Sequence, residues 1–250
     1  MARAPLIKGE DLRGVQAKLE RANESIRNLD TEIAAFLKSP KGGFSKDQEK
    51  AFHEFSQHAK REIPPRFGVL AGEVSHHLRS ALDHLVWLLS SDQYRRTKEA
   101  AIAFPILIKE PGKPTEVASY ARKIEGIQSA EARKLIKQLQ PYNAANPLDD
   151  PLIILHNLDR IDKHQTLVLI EGRWKMGLKI PLRAFTWTII GRPDIDQNLF
   201  TRTAADQLKA EFSIQIAFPK IGERENQPVI PTLTQLADAI ANIVRLFSEL

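Results

Sequence analysis

Three features of this 250-residue sequence predict an α+β fold with a helical core. Apolar residues recur at three- and four-residue spacing as far as His164, the spacing changes to two from Thr166, and one helical stripe returns at the carboxyl end. Helices, then a small sheet, then one helix is the order of an α+β chain rather than of repeated βαβ units.

Leu12, Val15, Leu19, Ala22, Ile26, Leu29, Ile33 and Phe36 alternate three- and four-residue steps, a coiled-coil-like seam. Ser39-Pro40-Lys41-Gly42-Gly43 ends that helix, and Ser45 with Gln48 offers a capping box for a second one reaching Glu62, so residues 1–65 read as a helical hairpin. Pro64-Pro65 stops it, and residues 66–165 form the predicted helical core, opening with a helix from Phe67 to Leu89. Ile102 to Ile108 is an extended apolar segment, followed by a Pro- and Gly-containing loop from Glu110 to Pro114. Helical spacing returns from Ala130 to Gln140, and Asp150-Pro151 reads as an N-cap with Pro at the first position of a helix reaching His164. Residues 166–250 carry the strands Thr166–Ile170, Met176–Leu182, Phe185–Ile190 and Phe212–Phe218, with turn signals at Glu171-Gly172 and Gly191-Arg192-Pro193-Asp194. These imply an antiparallel meander, closed by a helix with Leu233, Leu236, Ile240, Ile243 and Phe247 on one stripe and packed with the core as one unit.

The chain has no cysteine, which excludes disulfides, thiol catalysis and Cys-based zinc sites. Its start runs into charged sequence without the apolar core of a secretory signal, and no apolar run approaches the roughly 18 residues of a membrane span. A cytoplasmic location without membrane contact is the expectation. No phosphate-binding glycine loop or nucleophile elbow is present. The net charge of +5 equals the excess between Tyr94 and Lys137, where ten Lys and Arg face five Glu. Such a segment suits either an anionic polymer such as RNA or an ordinary solvated surface.

The helix Phe67–Leu89 has two opposed faces. Leu70, Val74, Leu78, Ala81, Leu82, Leu85 and Leu88 mark the core side, whereas Glu73, His76, His77, Arg79, Ser80, Asp83 and His84 fall on the remaining arc with Trp87 at its end. The arc holds three imidazoles, a guanidinium and two carboxylates, groups that move protons and hold phosphates, and it holds no Lys. Glu73 and His77 are spaced as metal ligands, but Glu73, His77 and His84 together spread too far for one ion, so neither metal nor cofactor is expected. On the helix ending at His164, His156, Arg160 and His164 share a face, and Lys163 offers a further phosphate contact. Arg79 and Asp83 are also an i,i+4 pair of the kind found on helix surfaces, and Trp87 also suits a core or interface position.

Arg79 and His84, four residues intervening, lie within Leu78–Leu85. This pattern resembles the HEPN superfamily, helical proteins many of which are metal-independent ribonucleases marked by such an Arg and His; Ser80 stands where that family commonly has Asn, Asp or His. The series Gly72-Glu73, Leu78–Leu85, Phe104-Pro105-Ile106, Gln140-Pro141-Tyr142 and Asp162-Lys163-His164 also looks like a widespread bacterial protein family of similar length, from which no activity carries over.

The HEPN resemblance implies a HEPN-like core in which Arg79 contacts the scissile phosphate and His84 acts as general base or acid. Asp83, His76, Ser80 and Glu73 would support them, and Lys163, Arg160, His164 and Trp87 would bind RNA. The attacking group would be the ribose 2′-hydroxyl. Arg79 and His84 point about 140° apart around one helix, which favours a homodimer supplying one residue from each copy. The implied setting is a toxin or phage-defence protein with a cognate antitoxin; the alternative is a non-catalytic nucleotide- or partner-binding scaffold. Both side chains are expected to leave the apolar face, so that Arg79→Ala melts near wild type.

Overall fold

The helix that carries the polar arc is enclosed by three others. In the computed structural model, which describes residues 12–37, 61–164, 167, 169–179, 188–189 and 209–250, the helices are α1 (Arg13–Leu37), α2 (Pro65–Leu89), α3 (Asp92–Lys98), α4 (Pro114–Ile124), α5 (Ala130–Gln138), α6 (Pro151–His164) and α7 (Val229–Ser248). The strands are β1 (Ile170–Lys179), β2 (Thr188–Ile189), β3 (Lys209–Ile221) and β4 (Arg224–Pro228), so the fold is α+β. Helix α2 packs against α1, α6 and α7, and α1 also touches α7. One apolar core runs through all of these and takes in Leu167, Leu169, Ile216, Phe218 and Ile221 beside the sheet. Among the described residues no helix is long and apolar enough to cross a membrane.

Local signals account for the helix ends. Pro65 opens α2, Ser91 Oγ accepts from the Tyr94 amide at the start of α3, Ser129 Oγ from that of Ala132 at the start of α5, and Asp150 Oδ1 from that of Leu152 at the start of α6. The α1 seam is consumed inside the chain: Val15, Ala22, Ile26, Leu29 and Ile33 are buried against α2 and α7. Its far end is fastened by Arg66 on Glu32 at 2.9 and 3.0 Å and by Phe36 edge-on to Phe67. The predicted partner helix from Ser45 lies mostly outside the described residues, as does the predicted turn at Gly191–Asp194.

The sheet corrects the predicted meander. Its order is β2-β1-β3-β4, all antiparallel, so β3 pairs with β1 rather than with its predecessor in sequence. Leu167 and Leu169 are buried but not in a strand, and β1 runs straight through Glu171-Gly172. The predicted turn is instead a register shift between Glu171 and Arg173, where the long β1–β3 ladder absorbs an extra residue as a bulge. Strand β4 and helices α3 and α4 have no counterpart among the predicted elements. The β3–β4 hairpin turns at Gly222, whose φ of +59° suits the first position of a two-residue loop.

The extended segment Ile102–Leu107 is present as predicted, but it joins no sheet. Buried backbone groups still need partners, and side chains supply them. Gln140, 1% exposed, donates from Nε2 to the carbonyls of Pro105 (2.9 Å) and Ile136 (3.0 Å), while its Oε1 accepts from the Leu107 amide (3.1 Å). Gln140→Ala would leave these groups unpaired in the core. The expected loss is about 2–4 kcal/mol of unfolding free energy in a urea titration, and a loss below a few tenths would show that the segment does not depend on this amide.

Candidate functional site

The arc of α2 divides into three separate environments. The first is a clamp. Arg79 Nη2 donates to Asp83 Oδ1 and to the carbonyl oxygen of Phe104, both at 2.7 Å, and the Phe104 amide donates to the same Asp83 oxygen at 2.8 Å. Both backbone groups of a fully buried residue are thus held by one ion pair. The Arg79 side chain is only 10% exposed. This overturns the expectation that it leaves the apolar face, and the pair is no ordinary surface pair. The physical reason is Phe104, whose buried peptide needs a donor and an acceptor at this point of α2.

The second environment is an open cleft of about 350 Å³ lined by Ser80, Asp83, His84, Trp87, Glu99 and Ile102. His84 meets the Trp87 ring edge-on with centroids 5.9 Å apart, and the Arg95 guanidinium lies 4.4 Å over that ring. Arg95 is oriented by its own bonds, Nε to the Ser90 carbonyl at 2.9 Å and Nη2 to Asp92 at 3.0 Å. The back of the His84 ring lies on α1, where a Cβ at Gly14 would fall 2.3 Å from its Cε1. Burial and the nearby Lys18 hold the His84 imidazole below its ordinary range, so it is neutral at pH 7. Arg79 does not line this cleft, so the structure does not bring Arg79 and His84 together. Sequence reasoning passed over Arg95 and Gly14 as contributors; the Trp-x7-Arg spacing carries no signal until α3 turns back on α2.

The third environment faces α6. His76, more than half exposed, has Nδ1 3.9 Å from Oδ1 of Asp159, and Lys163 Nζ bonds the other oxygen of that buried carboxylate at 2.7 Å. Glu73 is half-buried on the same side, and a Cβ at Gly72 would fall 1.9 Å from Asp162 Oδ1, so the helices approach closely there. Burial and Asp159 raise the Asp162 carboxyl above its ordinary value. Lys163, Arg160 and His164, expected as RNA contacts, lie on this helix, and none of them lines the His84 cleft. Among the described residues no group of three or more His, Asp or Glu side chains could hold a metal ion. Burial, then His76, Lys18 and Arg21, lower the basicity of His77 against the pull of Glu73, and its buried Nδ1 has no hydrogen-bond partner among the described residues.

Removing either half of the clamp strands the other half and one Phe104 group. Arg79→Ala and Asp83→Ala should each cost about 2–4 kcal/mol of stability, to be read by chemical denaturation; a change confined to a few tenths would return the pair to the status of a surface contact. A second expectation follows from His77 and His84. Each binds a proton less readily in the folded chain than at the unfolded value of 6.5, so their contribution is complete above that value and is lost as pH falls below it. Thermal melting between pH 7.5 and 5.5 should therefore fall, and fall less steeply when both are changed to Gln; equal slopes would exclude these imidazoles as the cause. No family model matches the sequence, and no curated protein or solved structure matches it.

Proposed function

We propose that the protein binds single-stranded RNA across the cleft beside Trp87. The observation that carries this reading is the Trp87 ring at an open cleft, with a guanidinium plane on its face and an imidazole at its edge. Aromatic and Arg planes are stacking surfaces for unpaired bases, and neighbouring cations hold the phosphates. Arg96 and Lys98, exposed in the last turn of α3, have no ion-pair partner among the described residues. In this reading Arg79 is a structural clamp, and Trp87, His84 and Arg95 meet the ligand.

Metal-independent cleavage is the second reading, and the neutral His84 favours it, since such an imidazole on a cleft wall accepts a proton from a ribose 2′-hydroxyl. A homodimer belongs to that reading and would form through a face other than the α1 seam.

Fluorescence anisotropy of a labelled unstructured RNA at low salt tests binding. Trp87→Ala should weaken it roughly fivefold or more, from the ~1–3 kcal/mol of one stacked base, and Arg96→Gln with Lys98→Gln should flatten its salt dependence. Binding indifferent to Trp87→Ala, or none at tens of micromolar protein, would favour the scaffold alternative. In the same samples with EDTA, 2′,3′-cyclic phosphate ends that disappear in His84→Ala would establish cleavage, and intact RNA throughout would restrict the function to binding.

A further inference from the structure

We infer that the cleft beside Trp87 selects guanine, with Glu99 reading the edge of the base that Trp87 stacks. The inference rests on the reading of this cleft as a seat for an unpaired base. Its walls are Ser80, Asp83, His84, Trp87, Glu99 and Ile102, and its volume of about 350 Å³ lies at the small end of ligand sites, suited to one nucleoside. Among the described residues no Lys, Arg, Asn or Gln lines it. Asp83 is committed to the clamp, where its Oδ1 accepts from Arg79 and from the Phe104 amide. Glu99 is not committed. It opens the 3₁₀ turn Glu99–Ala101 that follows α3, it is exposed, and its carboxylate has no hydrogen bond or ion pair among the described residues. The cleft therefore offers a free acceptor pair beside an aromatic ring, and its ligand has to bring the donors.

An ionised carboxylate only accepts, through two oxygens side by side, so its best partner carries two parallel N–H donors. Guanine has that pair on its Watson–Crick edge, N1–H beside the N2 amino group. Adenine and cytosine set one amino donor next to a ring nitrogen that accepts, and uracil flanks its one N–H with two carbonyls. Each of these turns a lone pair toward the second carboxylate oxygen, so Glu99 discriminates by repulsion as well as by attraction. A cation is the competing occupant of an acidic cleft with an aromatic wall. Arg95 already fills that role from within the chain. Its guanidinium lies 4.4 Å from the Trp87 ring centroid, held there by the Ser90 carbonyl and Asp92, which leaves a neutral base as the ligand. Arg96 and Lys98, in the last turn of α3 directly before Glu99, supply positive charge for the phosphates without lining the cleft.

Two measurements on the intact chain test this. The first is anisotropy of a labelled oligouridylate carrying one guanine, against the same strand with adenine or cytosine at that position; the second is isothermal titration with GMP, AMP, CMP, UMP and IMP. The guanine strand should bind at least roughly fivefold more tightly than the others, the lower end for one bidentate pair, and GMP should lead the mononucleotides. IMP keeps N1–H but lacks the amino group and should fall behind GMP. Glu99→Gln, at an exposed position, should erase the preference without altering the thermal melt, whereas Trp87→Ala should weaken every base. Strands that bind with no preference among bases, a preference that survives Glu99→Gln, or IMP equal to GMP would overturn the guanine assignment and leave RNA binding standing. Selection of GMP with no binding of any strand would uphold the guanine site and overturn the RNA reading. No binding of the strands, or of GMP at millimolar concentration, would overturn both.

Discussion

The hydrogen-bonded triangle of Arg79, Asp83 and Phe104 ties the extended segment 102–107 to α2, and Gln140 after α5 is placed through that segment. It takes a strand-like segment that has no sheet and fastens its backbone to the most enclosed helix of the fold. Once Phe104 is fixed, Pro105 and Leu107 fall where Gln140 can bond them, and the turn at Pro141 after α5 follows. Ile106, on the wall of a cavity beside His156, and Ile102, on the wall of the Trp87 cleft, belong to the same segment. A buried ion pair is a weak source of net stability, because desolvation offsets much of its attraction; its value here is positional, since no apolar pair of similar volume could hold both an amide and a carbonyl.

Polar groups on α2 thus serve two ends that sequence periodicity does not separate. Arg79 turns inward to the Phe104 peptide, whereas His84, one helical turn and a residue further on, lies between Trp87 and α1. The basic excess between Tyr94 and Lys137 divides in the same way. Arg133 donates to the carbonyls of Ile127 and Glu125, Arg95 to that of Ser90, and Lys137 pairs with Glu110, so part of the charge holds loops together. Arg96, Lys98, Lys109, Lys113, Arg122, Lys123 and Lys134 form no ion pair among the described residues and are the ones left to attract an anion.

What the sequence made legible is what depends on near neighbours. The stripes of α1, α2, α6 and α7 announce themselves because burial repeats every three or four residues, and Asp150-Pro151 opens α6 because a cap and its first turn are contiguous. The candidate arc was legible as composition but not as geometry. Whether Arg79 faces solvent or core is decided by Phe104, 25 residues away, and neither residue's immediate surroundings encode the other. Glu171-Gly172 illustrates the same limit in the sheet: a turn and a bulge share one local preference, and the long ladder with β3 selects the bulge. Gly222-Glu223 did carry a hairpin signal, a glycine at the first of two loop positions, yet the flanking residues alternate too weakly to mark β4 as a strand.

Gly14 has the furthest-reaching effect of any single small residue here. Because it carries no side chain, α1 sits against the imidazole that forms one wall of the cleft, and the amino-terminal helix becomes part of the site without contributing a functional group. The docking of α1 and the placement of His84 are then linked equilibria. A ligand that draws the ring outward loosens the helix, and anything that tightens the helix resists that ligand by the same free energy.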